Sequence, residues 1–406
     1  MRFDLMCTDC NTVYDLAPDR TVCPACAAGQ LPHRPLRGVL EVRLTPDGLD
    51  SAEGEITSPL SPAEVDIGSF LPVGPAFYPP VPVGNTPLWA PARLREELGF
   101  PRLFIKDDGL NPTGSLKDRA SWLVAAFARK HGIKEVTAAS TGNAGSSMAG
   151  IGAAAGLNVT LFLPKTAPRA KMIQSLQYGA RLVLVDGNYD RAYDLSLEFT
   201  RARGGLNRNT AYNPLTIEGK KTVALEIARQ LGRAPEAVFV SVGDGVILAG
   251  VYKGFLDLVQ MGFIPRVPRI YAVQAEGSDA VRRAFESGDF GEPRTASTVA
   301  DSISVDVPRN GYLAVRRLRE NDGRCVAVSD RAILEAQHFL ASRTGLFSEP
   351  AGAAAFAGFL AVRKDLPRDA QIVVIATGNG LKDADSAAKS VPFPDRAIKS
   401  LEELED

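Results

Sequence analysis

Lys117 lies at the centre of NPTGSLKDRA, residues 111–120, and its neighbours bear directly on its chemistry. Pro112 and Gly114 end whatever strand precedes them, because one lacks an N–H and the other tolerates positive φ. A helix is expected directly afterwards, with Ser115 as its N-cap, Asp118 as the acidic partner of a capping box, and Leu116, Ala120, Leu123 and Phe127 on one face. That places Lys117 in the first helical turn, where the positive end of the helix dipole disfavours an ammonium. A neutral lysine amine is a nucleophile suited to Schiff-base chemistry with a carbonyl compound.

Three further stretches have the composition of ligand loops. In STGNAG, residues 140–145, hydroxyls and backbone N–H groups at a helix start can cradle a carboxylate or phosphate. SVGDGVILAG, residues 241–250, is a strand–glycine–helix turn suited to a phosphate. A dinucleotide fingerprint would need a third glycine at Leu248, so a nicotinamide-dependent dehydrogenase is disfavoured. ATGNG, residues 376–380, follows an apolar run in the same way.

The cysteines suggest a second centre. Cys7-x-x-Cys10 and Cys23-x-x-Cys26 form two pairs separated by a turn-sized spacer, a pattern that closes a tetrahedral thiolate site. We read a structural Zn2+ in a ribbon-like segment, against the alternatives of two redox pairs or a weakly binding finger. Four protein ligands leave no position open for water, so the role is structural. Cys325 stands alone and reads as a core residue.

The elements that position these residues follow from the pattern. From residue 84 onward strand-like and helix-like segments alternate: RLFIK (102–106), EVTAAS (135–140), NVTLFLP (158–164), RLVLVDG (181–187), EAVFVSVGDG, RIYAVQAEG and QIVVIATGNG, with helices between them. This rhythm predicts parallel α/β sheets with right-handed crossovers, whose ligands lie at the carboxyl ends of the strands. The expected division is a ribbon over 1–35, a Pro- and Gly-rich connector over 36–82 that opens with a strand at 38–44, a catalytic unit over 83–391 with a smaller mobile lobe at about 118–205, and a tail over 392–406. A chain of 406 residues with 45% hydrophobic content and a net charge of −1 is an ordinary globular protein with no basic excess for nucleic acid. No apolar run suggests a membrane span, and the start lacks a secretory core, so the cytoplasm is the default location.

Taken together, GNTPL (84–88), NPTGSLKDR, STGNAG, YKGF (252–255), SEPAGAA (348–354) and ATGNGLKD (376–383) resemble the fold-type-II pyridoxal-phosphate enzymes of the tryptophan synthase β-like class. Within them the chain is most similar to the threonine synthase family, some of whose members begin with a CxxC…CxxC ribbon. The resemblance implies two parallel-sheet lobes, pyridoxal 5′-phosphate as cofactor, an amino-acid substrate and a homodimer. It implies that Lys117 carries the cofactor and shuttles protons, and that Asn143 meets the ring hydroxyl. By the same resemblance Thr377 meets the pyridine nitrogen, and Gly243, Asp244, Gly245, Val246 and Ile247 hold the cofactor phosphate. Ser140, Thr141, Gly142 and Ala144 would hold the substrate carboxylate.

Several positions depart from the family pattern. Leu116 replaces an aromatic residue, Val246 and Ile247 stand where Gly and Asn are usual, and Asn379 replaces a histidine. In TAYNPLTIEGKKT, residues 210–222, Thr210, Ala211 and Thr216 stand where the family tends to have Asn, Ser and Arg for a substrate phosphate. Lys165, Arg169 and Lys171 are a candidate replacement, or else a solvated basic face. The leading expectation is conversion of O-phosphohomoserine and water to threonine and phosphate by γ-elimination and β-addition. The alternatives are β-elimination or β-replacement on a serine- or threonine-like amino acid, as in a dehydratase, a diaminopropionate ammonia-lyase or a cysteate synthase, and ligand binding without catalysis.

Overall fold

The computed structural model describes residues 1–46, 60–167 and 169–403. Strands Arg2–Cys7 (β1), Val13–Asp15 (β2) and Leu40–Thr45 (β3) form an antiparallel sheet of order β2-β1-β3. The strand read above as the start of the connector is therefore an edge of the cysteine-bearing sheet. The inner face of this sheet is anchored: Leu5, Cys7, Leu40 and Val42 share a core with Leu123 and Phe127 of the Lys117–Lys130 helix. The described part of the Pro-rich stretch forms three short 3-10 turns, which bury Val65, Phe70, Leu71 and Val73.

Leu88–Trp89 (β4) and Leu103–Asp107 (β5) open a second sheet. The chain then leaves it to build a third from Glu135–Ala139 (β6), Asn158–Pro164 (β7), Arg181–Val185 (β8) and Leu206–Asn207 (β9). It returns with Ala237–Ser241 (β10), Arg269–Ala275 (β11), Arg324–Val328 (β12) and Ile372–Ala376 (β13). The large sheet has the order β12-β11-β10-β13-β5-β4 and the small one β8-β7-β6-β9. Both are parallel except at β4, which pairs antiparallel with β5. Helices cover the central strands, whose side chains are buried on both faces, as parallel sheets require. Among the described residues no helix is long and apolar enough to cross a membrane.

Two buried charge clusters hold the helices that approach the cavity. Arg119 donates to Asp108 (Nε to Oδ2, 2.6 Å) and to Glu226 (Nη1 to Oε1, 2.7 Å), while Lys106 donates to Glu226 Oε2 at 2.7 Å. These three contacts tie the Lys117–Lys130 helix to β5 and to the Thr222–Leu231 helix. In the second cluster Lys221 pairs with Glu218 and with Asp257 (2.7 Å), and Lys253 pairs with Asp257 (2.5 Å). Charges taken out of water at such cost remain charged only because each is paired.

Candidate active site

The carboxyl ends of the strands bring three remote loops together through main-chain bonds. Leu116 N–H donates to Thr377 O at 2.9 Å, and Asn379 N–H donates to Gly114 O at 2.9 Å, with Ser115 bridging Gly378. Glu349 N–H donates to Gly378 O at 2.9 Å and Ser348 bridges Asn379. The runs NPTGS, ATGNG and SEP thus form one stitched layer, and Lys117 begins its helix at the edge of it.

This layer also corrects the expected cap. The position before the helix is Leu116, in helical conformation and with no side-chain cap. Asp118 instead turns back on the loop, accepting from Thr113 N–H (2.7 Å) and Thr113 Oγ1 (2.5 Å). Ser115 Oγ is buried without a partner. The carboxylate fixes the turn rather than the helix end. Desolvation within these loops is the main cause that lowers the Lys117 ammonium, followed by opposing effects of Glu349, which raises it, and Arg208, which lowers it. Burial, rather than the helix end on which the sequence argument rested, is the leading cause.

Lys117 lines a cavity of about 320 Å³ together with Ser140, Thr141, Gly142, Asn143 and Ala144. The first of these follow β6 directly, and Asn143 opens the Asn143–Ala155 helix. Asn143 Nδ2 donates to both oxygens of Glu349 (2.8 and 3.0 Å) and to Ser302 Oγ at 3.1 Å. Burial pushes the Glu349 carboxyl upward, with Asn143 and Lys117 working against it. Asp244 lines the same cavity from the end of β10, and its carboxyl is likewise raised by burial. Gly243, Gly245, Val246 and Ile247 flank Asp244 without forming the cavity wall. Gly245, at φ 84°, turns the chain into the Val246–Gln260 helix, which has no side-chain cap. Thr377 is buried at the end of β13 and reaches the lysine loop through its main chain.

Other cavity residues escaped the sequence reading: Tyr189, Asp190, Arg208, Ser302 and Arg309. Asp190 and Arg309 form an ion pair between the small sheet's Tyr189–Arg203 helix and the loop before the Gly311–Glu320 helix. Nothing in their local sequence marks them. Glu349 stood in a motif already noted, although no role was assigned to it.

Lys165 and Arg169 of the suspected replacement clamp do not line the cavity. Lys165 is exposed and pairs with Asp186 at 2.6 Å, Arg169 is exposed, and the side chain of Lys171 lies outside the described residues. Of the three departing positions only Thr210 lines the cavity. Ala211 is buried at φ 62°, and Thr216 Oγ1 donates to Asn213 O at 2.7 Å.

A second cluster lies in the N-terminal sheet. The Sγ atoms of Cys7, Cys10, Cys23 and Cys26 all fall within 4.8 Å of one another, with Cys7–Cys26 and Cys10–Cys23 each 3.8 Å apart. Thiolates about 2.3 Å from a zinc ion stand about 3.8 Å apart at the edges of a tetrahedron, so the donor set fits. Tyr14 Oη lies 3.0 Å from Cys23 Sγ and adds an outer contact.

The comparisons agree with this geometry. Residues 81–378 match the model of the family described as pyridoxal-phosphate dependent enzyme. The chain belongs to that family. It is 35% identical over 317 residues to a threonine synthase of Methanocaldococcus jannaschii, covering 77% of this chain and 78% of the relative. It is 36% identical over 327 residues to a threonine synthase of Mycobacterium tuberculosis (strain ATCC 25618 / H37Rv), covering 79% and 89%. Among solved structures, a threonine deaminase from T.th. superimposes with a TM-score of 0.62 at 27% identity over 73% of this chain and 92% of that one. The processed form of threonine deaminase isoform 2 from Solanum lycopersicum gives 0.66 at 25% identity, over 76% and 89%.

The residues present fit pyridoxal phosphate. Burial lowers the ammonium of a cavity-lining lysine, and an uncapped start of a 15-residue helix offers N–H groups to a phosphate. The lysine and Asp244, two residues before that helix, line a cavity of the size that small cofactors and substrates occupy.

Proposed function

We propose that the protein is a pyridoxal-phosphate-dependent lyase of threonine-synthase type, taking O-phosphohomoserine and water to threonine and phosphate. The observation that carries this reading is Lys117, which lines the cavity with its ammonium form disfavoured, on a chain about 35% identical to threonine synthases. The cofactor, when bound, supplies the electron sink for bond changes at Cα, Cβ and Cγ. Lys117 holds it through its amine and, when freed, moves protons at Cα and Cβ. Asn143, braced by Glu349 and Ser302, orients the ring, and the hydroxyl of Thr377 serves the ring nitrogen. The N–H groups of Val246 and Ile247 hold the cofactor phosphate. Ser140, Thr141, Gly142 and Ala144 hold the substrate carboxylate, and the Asp190–Arg309 pair closes the cavity to water.

The same reading gives the cysteine cluster one structural zinc, and makes the enzyme a cytoplasmic homodimer. A β-eliminating enzyme on a serine- or threonine-like substrate is the second reading, favoured by Ala211 and Thr216, neither of which offers a group to the cavity. The test is to incubate the cofactor-loaded protein separately with O-phosphohomoserine, serine and threonine. Threonine with an equal amount of phosphate from the first supports the leading reading. Ammonia and a keto acid from the other two, with no threonine from the first, would replace it with the second.

A further inference from the structure

Two buried cations near the cavity have no role in the chemistry above. Arg208 follows β9 directly and lines the cavity beside Tyr189 and Thr210. Its main-chain N–H is fixed on Thr137 O at 2.8 Å, its Nε donates to Ser121 Oγ at 3.3 Å, and its buried Nη2 has no partner. Lys220, at the end of the Leu215–Lys220 helix, is buried with Nζ on Thr216 O at 3.0 Å. It lies close enough to Arg208, Lys117 and Asp244 for the charge of each to act on it.

Elsewhere the protein pairs its buried cations directly with carboxylates. Lys106 meets Glu226, Arg119 meets Asp108 and Glu226, Lys221 meets Glu218 and Asp257, and Lys253 meets Asp257. Among the described residues neither Arg208 nor Lys220 has a carboxylate within 4.0 Å, although both are as deeply buried as those four. A guanidinium withdrawn from water with an unpartnered donor, on a residue that lines a cavity, is costly unless an anion completes it. Burial accordingly pushes Arg208 down to about 10 and Lys220 well below its ordinary range. The charged residues lining the cavity are Lys117, Arg208 and Arg309 with Asp190, Asp244, Asp301 and Asp306; of the two arginines Arg309 is paired, with Asp190, whereas Arg208 has no carboxylate within reach among the described residues.

We propose that Arg208, backed by Lys220, holds a phosphate monoester dianion in the cavity, in the region that Thr210, Ala211 and Thr216 leave without an arginine. A planar guanidinium gives such a dianion two parallel charged hydrogen bonds, which a threonine hydroxyl does not. Arg208 is reached from β9 rather than from the helix that carries Thr216, so the clamp has moved to another element while serving the same space. The dianion has two sources, the substrate's γ-phosphate and the cofactor's own phosphate. The first rests on the proposed function.

The experiment uses the full-length, cofactor-loaded protein and inorganic phosphate as probe. Phosphate affinity, cofactor retained after dilution, and KM and kcat for O-phosphohomoserine are measured for wild type, Arg208→Gln, Arg208→Lys and Lys220→Met. With the substrate as source, Arg208→Gln weakens phosphate binding by about 10- to 100-fold and raises KM more than it lowers kcat. Arg208→Lys loses less, and cofactor retention does not change. With the cofactor as source, the same variants shed cofactor on dilution while the phosphate probe is unaffected. Unchanged phosphate binding and unchanged cofactor retention in Arg208→Lys and Lys220→Met overturn the proposal, even if Arg208→Gln does not fold. A wild type that binds phosphate through Arg208 but makes no threonine upholds this site and removes the proposed substrate.

Discussion

The two sides of the cavity are built in different ways. On the lysine side the chain shapes the site with main chain: three loops are bonded to one another by N–H and C=O groups, and paired charges beneath them fix the helices. On the far side Arg208, Arg309 and the neighbouring Tyr189 and Asp190 of one helix are side chains contributed by three elements. Main-chain geometry tolerates many sequences and fixes a cofactor, whereas side chains can be exchanged to suit a substrate. Departures from the family pattern fall on both sides, Leu116 and Asn379 in the main-chain layer and Thr210 on the cavity wall.

Substitutions on the two sides should therefore fail differently. The largest effect is expected from Lys117→Ala, with turnover lowered by on the order of 10³-fold or more while the folded content measured by circular dichroism is kept. A variant retaining a tenth of the wild-type rate would remove Lys117 from the chemistry. Gly378→Ala is next, because a Cβ there would overlap Glu349. It should disturb Asn143 through Glu349 and change the visible absorbance of the bound cofactor.

Arg119→Ala tests the foundation rather than the site. Leaving Asp108 buried without its cation, and Glu226 with Lys106 alone, should lower unfolding free energy by about 3–5 kcal/mol in denaturant titrations. An effect under about 1 kcal/mol would mean that the cluster is not what holds the lysine helix. Acid probes the same cluster. Arg119 and Lys106 bring the Glu226 carboxyl down to about 2 against the desolvation that raises it. Its stabilisation is therefore complete above the ordinary carboxyl range near 4.5 and declines as pH falls toward 2. Glu226→Gln should flatten that part of the stability profile.

The smallest effect on turnover is expected from the N-terminal sheet. One zinc per chain should be found by metal analysis, and a chelator should lower the melting temperature through the core shared with Leu123 and Phe127. Turnover below that temperature should change little. Protein purified without chelator that contains no zinc would leave the cysteines as thiols.

The strands and the turns after them were legible because Gly, Pro and hydroxyl residues at strand ends act locally, and each expected strand is present. The helix cap was misread because its competitor was tertiary: the bond from Leu116 to Thr377 joins residues distant in sequence. Arg208 and Lys220 were missed for the same reason. An arginine after a two-residue strand has no local signature, and its lack of a partner becomes visible only once the fold surrounds it. The compensating basic run was sought near residue 165 because clustered charge is conspicuous in sequence, yet Lys165 and Arg169 of that run are exposed.

The most direct test is to reduce the cofactor-loaded protein with borohydride and locate the modified lysine by peptide mass mapping. The expected result is a single cofactor adduct on Lys117. An adduct on Lys220 or Lys382, or none on any lysine, would contradict the assignment of the chemistry to Lys117.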